Sequence, residues 1–281
     1  MSADRRVFVL GAGRAGRGLT RALRASGVEV VGLHGRRDPG GADGVTVGAL
    51  PPALARADVV LVAVRDEQLE SALAELLAAP LTPDAVVLHA SGSAEPAMLD
   101  AARASGHPAG TFHPLLPLAE PERAPALLRG AFIGIDGDEA ARAAARVLAE
   151  RLGARVVEIP AGAKARYHAA AVVASNFPVV LLDLATRLLA ESGIEAAAAR
   201  GAARSLFFAA VENLRHQEAA DALTGPIVRG DVETVRRHRA ALAGEPELLA
   251  AYNALSRGAL RLARERGTPA EALRAMERLL E

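Results

Sequence analysis

A lysine, a histidine and a serine recur on one face of a helix in the segment Gly162-Ala163-Lys164-Ala165-Arg166-Tyr167-His168 and its continuation to Ser175-Asn176. At about 100° per residue, His168 falls about 40° and Ser175 about 20° from Lys164, while Asn176 lies about 120° away in an ideal helix. An ammonium, an imidazole and a hydroxyl among alanines and valines can hold and protonate an oxygen. Burial would lower the lysine's pKa and suit it to proton transfer. Of the 33 Lys and Arg residues, Lys164 is the one lysine. The abundance of Ala, Arg and Gly points to a GC-rich coding bias that drives Lys towards Arg. A lysine that survives it points to a role that arginine cannot fill. The plainer alternative is a solvated, polar helix start.

Three further segments carry polar groups where strands are expected to end: Val64-Arg65-Asp66, His89-Ala90-Ser91-Gly92 and Phe112-His113-Pro114. In open α/β sheets ligands bind beyond the carboxyl ends of the strands, so these segments would share one rim. His113, held extended by the following proline, can aim its imidazole there. Ser91 can bind a substrate or simply cap a turn, His89 can be a satisfied core histidine, and Asp66 is expected as a helix N-cap. A last polar cluster, Leu223-Thr224-Gly225-Pro226 with Arg229-Gly230-Asp231, breaks two helices. There Arg229 would meet an anionic substrate group or pair with Asp231, which can cap the next helix.

The most specific motif lies near the start. Gly11-Ala12-Gly13-Arg14-Ala15-Gly16 follows the apolar run Val7–Leu10 and precedes a helical stretch and a second strand pattern. That is the context a dinucleotide fingerprint requires: Gly11 for the tight turn, Gly13 for close approach of the pyrophosphate, and Gly16 for helix–strand packing. The main chain of Arg14, Ala15 and Gly16 then opens the helix whose N-terminus receives the phosphates, and Val64 ends a neighbouring strand on the same side. The second strand ends Leu33-His34-Gly35-Arg36-Arg37 with no carboxylate before Asp38. An NAD site uses an acidic residue there, whereas Arg36 or Arg37 would pair with the 2′-phosphate of NADP. A solvated arginine pair and a glycine turn that binds nothing are the alternatives.

These groups must be positioned by a regular scaffold. Strand patterns at Val7–Leu10, Val28–Leu33, Val45–Val47, Ala57–Val64, Ala85–His89, Ala109–Phe112, Ala131–Ile135 and Val156–Ile159 alternate with helical stretches. This predicts a doubly wound, mostly parallel Rossmann sheet in an α/β domain over 1–160. Beyond Pro160 there is no convincing strand. Helices are expected near 164–177, 178–191, 195–217, 231–242, 246–266 and 269–280, giving an all-helical C-terminal domain over 161–281 with breaks at Pro178, Gly193 and Gly244-Glu245-Pro246. The 281 residues are 51% apolar with no net charge, which offers no electrostatic case for nucleic acid or an anionic membrane. The absence of cysteine excludes disulfides and thiolate metal sites, and no metal is expected. The longest apolar run, Ala169 to Leu182, is interrupted by Ser175, Asn176 and Pro178, so a soluble cytoplasmic protein is expected rather than a membrane span.

Taken together, the GAGRAG turn, Val64-x-Asp66, His89-x-Ser91-Gly92, Phe112-His113-Pro114-Leu115, Lys164-x-x-Tyr167-His168 with Ser175-Asn176, and Leu223-Thr224-Gly225-Pro226 with Arg229-Gly230-Asp231 resemble the Rossmann-like family whose C-terminal half is domain of unknown function 2520. That family is itself similar to pyrroline-5-carboxylate reductases, ketopantoate reductases and β-hydroxyacid dehydrogenases. The resemblance implies a Rossmann domain, a helical domain, a cleft between them and homodimers formed through the helical half. Lys164 and Asn176 look like the catalytic lysine and asparagine of the latter two groups. The expected function is an NADP(H)-dependent oxidoreductase that reduces a small, polar or anionic carbonyl or imine compound, such as a 2-keto acid. Lys164 or His168 would supply the proton, His113 and Ser91 would bind the substrate, and Asn176 would orient it. The alternatives are a non-catalytic NADP-binding regulatory or partner-binding protein, or binding of another adenine nucleotide or a flavin in the same turn.

Overall fold

The computed structural model describes residues 5–41 and 43–281. Three neighbouring strands within the sheet are short runs in which every side chain is buried: β1 (Val7–Leu10), β4 (Val59–Val62) and β5 (Val86–His89). Successive strand side chains point to opposite faces, so a wholly apolar run needs cover on both sides. Val7, Val9, Val59, Leu61, Val86 and Leu88 pack into one core with α1 (Arg14–Ala25) and α5 (Glu139–Arg151). Phe8, Leu10, Val60, Val62 and Val87 pack into a second core with α2 (Leu69–Leu77) and α3 (Asp100–Ala104).

With β2 (Val30–His34), β3 (Val45–Thr46), β6 (Ala109–Pro114), β7 (Phe132–Gly137) and β8 (Arg155–Glu158), these strands form one 8-stranded sheet in the order β3-β2-β1-β4-β5-β6-β7-β8. All neighbours are parallel except β6 and β7. The chain leaves β1 for β2 on one side and returns to β4 on the other, so the turn after β1 sits at the topological switch point where a nucleotide is expected. A short helix, α4 (Ala124–Leu127), packs against α1.

Several local expectations are corrected. Asp66 caps no helix: a 3₁₀ turn over Asp66–Gln68 precedes α2, and its carboxylate is engaged elsewhere. Between β5 and β6 a 3₁₀ turn at Pro96–Leu99 is followed by the short α3. Pro178 does not break the chain into two helices but lies inside one 28-residue helix, α6 (Lys164–Glu191). A proline removes one helical hydrogen bond and crowds the preceding turn, a penalty of about 3 kcal/mol, which long flanking runs of alanine, leucine and valine absorb. The uninterrupted α6 is, by length and a mean hydropathy of 1.7, long and apolar enough to cross a membrane. The interruptions at Ser175, Asn176 and Pro178 therefore do not shorten it as expected.

The compact units divide between Val179 and Val180, within α6, rather than near residue 160 where the strands end. The first turns of α6 pack on the sheet, and that holds them in the first unit. The second unit carries the rest of α6, α7 (Ala196–Asn213), α8 (Ala219–Ala222), α9 (Val232–Ala241), α10 (Pro246–Glu265) and α11 (Ala270–Leu280). Val235, Leu260, Ala263, Leu273, Met276 and Leu280 make its core. Asp231 caps α9 as expected, accepting from the Thr234 N–H at 3.0 Å and from its hydroxyl at 2.7 Å.

The loop between β2 and β3 is tied down by Asp43, which is 4% exposed. It accepts from Arg17 Nε at 2.6 Å and Arg21 Nε at 2.5 Å, and its carbonyl accepts from Arg24 at 2.9 Å. The hydrogen bond from Arg21 outweighs burial and holds the Asp43 carboxyl below its usual pKa. Asp43→Asn is expected to lower stability in urea unfolding at pH 7 by about 2 kcal/mol, because a charge-assisted contact is lost. The Asp43 contribution is full above the ordinary carboxylate range and disappears as the pH falls through the lower folded value. A variant as stable as the wild type at pH 7 would remove the case for this anchor.

Candidate active site

The glycine turn has the shape the fingerprint needs. Gly11 adopts φ +119°, and a Cβ there would lie 2.3 Å from the Ala63 carbonyl oxygen. A Cβ on Gly16 would lie 1.8 Å from the Gly11 carbonyl oxygen, while Gly13 faces open space. The first hydrogen bond of α1 runs from the Arg17 N–H to the Gly13 carbonyl, which leaves the N–H groups of Arg14, Ala15 and Gly16 without a helical acceptor. Gly11, Gly13, Arg36, Arg37, Val64, Arg65 and Gln68 line one cavity of about 600 Å3, a size suited to a cofactor. Arg36 and Arg37 are exposed at the end of β2, and no carboxylate pairs with either among the described residues. The donor set therefore fits a pyrophosphate at the turn and a 2′-phosphate at the arginines.

Farther along the same edge, β5 and β6 deliver their polar ends. The His113 Nδ1 lies 2.7 Å from the Tyr167 hydroxyl, and its ring centroid lies 6.3 Å from that of His168. Burial, then the nearby His168 and Lys164, lowers the His113 pKa to about 4, so the ring is neutral at pH 7. Burial raises the pKa of Tyr167, which stays protonated. The phenol and His113 Nδ1 share one hydrogen bond, in which either donates according to the imidazole tautomer. Gly92 lies close under this group: a Cβ on it would be 2.7 Å from His113 Nε2 and 2.7 Å from His168 Cδ2. Ser91 Oγ accepts from the N–H groups of Ser93 at 3.2 Å and Ala94 at 2.9 Å, which shapes the loop. Ser93 in turn donates to Asp66. Burial works to raise the Asp66 pKa, but the Ser93 and Ser91 hydroxyls and nearby His168 hold it below the usual carboxylate range.

Of the candidates read from sequence, His113, His168 and the Ser91 loop are brought together. Lys164 is not in that group. It is 1% exposed, and its Nζ donates to Asp136 at 2.9 Å and to Thr111 at 2.5 Å. Burial lowers the Lys164 pKa, and the hydrogen bond and charge of Asp136 oppose that. Asn176 is exposed more than two helical turns beyond His168, with its side-chain oxygen accepting from Ser175 at 2.9 Å. Arg229 is exposed in the second unit, where both Asp231 oxygens are engaged by Thr234.

Asp136, Thr111, Tyr167 and Ser93 received no role from their residue types. The carboxylate of Asp136, inside the otherwise apolar strand Phe132–Gly137, is the one signal that pointed to a buried partner. Pairing in register does the rest: His89 lies beside Thr111, and Thr111 opposite Asp136, across three adjacent strands. His89 is buried and satisfied. Its Nδ1 accepts from the Ser91 N–H at 3.2 Å and its Nε2 lies 3.1 Å from Thr111 Oγ1.

Two family models match the chain. Residues 131–280 match the domain of unknown function 2520, and residues 1–94 match the NADPH-binding domain of acetohydroxy acid isomeroreductase. No curated protein matches significantly in sequence. Among solved structures, a candidate NADP oxidoreductase from Bacteroides fragilis is similar with a TM-score of 0.72 and 21% identity, over 91% of this chain and 98% of that one. A protein from Thermotoga maritima is similar with a TM-score of 0.72 and 22% identity, over 92% and 99%. A pyrroline-5-carboxylate reductase from Coxiella burnetii follows with a TM-score of 0.59 and 14% identity, over 92% and 98%. At these identities the shared property is the fold.

The neutral histidines set an acid limit on stability. Burial lowers His89 from the ordinary imidazole value of 6.5 to about 4, as it does His113. Below 6.5 the unfolded chain takes up protons that the folded chain does not, so stability falls with falling pH until about 4. Each ring contributes a slope of about 1.4 kcal/mol per pH unit within that window. Urea unfolding at pH 7 and pH 5 should show this loss, and His89→Asn should show a smaller one. Equal stability at both pH values would contradict the neutral, buried state of these rings.

Proposed function

Because the chain belongs to the family described as domain of unknown function 2520, whose fold it carries beside a dinucleotide site, we propose that it is an NADPH-dependent reductase of a small carbonyl or imine compound, with 2-keto acids the first class to test. The cofactor is NADP(H), held by the turn at Gly11–Gly16 and by Arg36 and Arg37. One observation carries the reading: the His113–Tyr167–His168 group and the glycine turn stand at the carboxyl ends of strands in one sheet. Bound NADPH supplies a hydride to the substrate carbon.

The chain's own residues supply the rest. In this reading Tyr167 donates to His113 Nδ1, which puts the imidazole proton on Nε2 to hold the substrate oxygen or nitrogen. His168, beside it, gives that atom its proton. Neutral His113 at pH 7 acts as a hydrogen-bond donor rather than an acid, and the second imidazole is left for proton transfer. The Ser91 loop lies beneath both and bounds the space for a small substrate.

The second unit leaves Val180, Leu206 and Phe208 exposed at 52%, 73% and 61%. We assign these side chains to a homodimer contact. Covering a side chain of this size is worth about 1.5–3 kcal/mol. Light scattering is expected to give a dimer that Leu206→Asp with Phe208→Asp converts to monomer. A wild-type monomer that sediments with lipid vesicles would assign the apolar α6 to a membrane instead.

Thermal unfolding with each nucleotide tests the cofactor, since a ligand at a hundredfold excess over its Kd stabilises by about 2.7 kcal/mol. NADP(H) should shift the midpoint well beyond NAD(H), and Arg36→Ala with Arg37→Ala should remove most of the difference. A screen of 2-keto acids and cyclic imines should give NADPH oxidation that falls by about 100-fold or more in His168→Asn. Cofactor binding with no turnover across that screen would favour the non-catalytic, regulatory alternative.

A further inference from the structure

A continuous polar chain runs behind the rim. Asp136 accepts from Lys164, Lys164 donates to Thr111, Thr111 meets His89 Nε2, and His89 Nδ1 accepts the Ser91 N–H. Lys164, Thr111 and His89 are almost wholly inaccessible, and Asp136 is 8% exposed. A main-chain N–H can only donate, so His89 Nδ1 carries no proton. Burial, assisted by the Lys164 charge, keeps this ring neutral down to about pH 4. Its single proton therefore sits on Nε2 and points to Thr111 Oγ1, which also accepts a hydrogen bond from Lys164.

The slot explains why a lysine stands there in an arginine-rich chain. Two acceptors, Asp136 Oδ2 and Thr111 Oγ1, lie 2.9 and 2.5 Å from one nitrogen. That convergence suits a compact ammonium and not a planar guanidinium with five spread donors. The far end of the chain is the Ser91–Gly92 main chain, where a Cβ on Gly92 would lie 2.7 Å from a ring atom of each histidine of the candidate site.

We propose that Lys164 is a positioning residue: with Asp136, and through Thr111, it fixes the tautomer of His89 and so holds the Ser91–Gly92 main chain beneath His113 and His168. Lys164 passes no proton to the substrate. The role in reduction rests on the reductase reading, but the tautomer and the loop can be observed in protein that turns nothing over.

Nitrogen-15 NMR of the imidazoles in the full chain at neutral pH is expected to show His89 protonated on Nε2, with slow exchange of the Ser91 amide proton. In Lys164→Gln, which leaves Asp136 without its counter-charge, His89 should become a mixture of tautomers. Ser91 exchange should then rise about tenfold or more, and the KM for the best 2-keto acid of the screen should rise more than kcat falls. Asp136→Asn combined with Lys164→Gln removes both charges and keeps two amides that can hydrogen-bond. It should restore the single tautomer, the slow exchange and most of the KM. A wild-type His89 protonated on Nδ1 would overturn the proposal, and so would a double variant in which kcat stays lost while the tautomer and Ser91 exchange are normal, since Lys164 would then be the proton donor. A wild type that reduces nothing would remove the reductase reading and leave the NMR outcomes to decide the positioning role.

Discussion

The ion pair between Lys164 and Asp136 joins the start of the long helix to β7, the strand that pairs antiparallel with β6. Charges removed from water are tolerated only when paired and hydrogen-bonded, and breaking a buried pair typically costs about 3–5 kcal/mol. The contact therefore fixes the first turn of α6. Once it is fixed, Tyr167 and His168, three and four residues on, face the end of β6. Tyr167 then meets His113, and His168 stands over Gly92. The rings at the rim are arranged by a charge that lies beneath them.

Glycine at key points keeps this arrangement tight. A Cβ on Gly134 would lie 2.1 Å from the Tyr167 hydroxyl, so only glycine on β7 lets the phenol approach His113. Gly92 serves the same purpose under the two imidazoles. These close approaches need no unusual backbone angles, because the demand is for space. The turn at Gly11 differs: its left-handed backbone and its contact with Ala63 make the bend that brings the start of α1 to the cofactor cavity.

The cofactor side and the chemical side also differ in electrostatics. At the glycine turn the donors are main-chain N–H groups and exposed arginines, which draw an anion from solution. At the histidine group the His113 ring is neutral at pH 7 and hydrogen-bonded to Tyr167, and behind it the main-chain N–H of Ser91 sets the orientation of His89. One rim thus offers positive potential for phosphates and an oriented, uncharged donor for a carbonyl.

The sequence by itself determined the alternating sheet, the glycine turn, the arginines after β2 and the helical second half. Each is written in local spacing: period-two or wholly apolar runs, a fixed glycine interval, and caps and breaks within a few residues. It also marked Lys164 as exceptional and named His113 and His168. Only the tertiary structure decided what Lys164 touches and that Asn176 stands apart from the histidines. It also decided that Asp66 serves Ser93 rather than a helix end, and that Pro178 lies within a helix. Those outcomes depend on strand register and on pairs 28 and 53 residues apart, such as Lys164 with Asp136 and with Thr111. Side-chain type sets what a group can do, but which partner it finds is settled when β5, β6 and β7 align His89, Thr111 and Asp136 in one row.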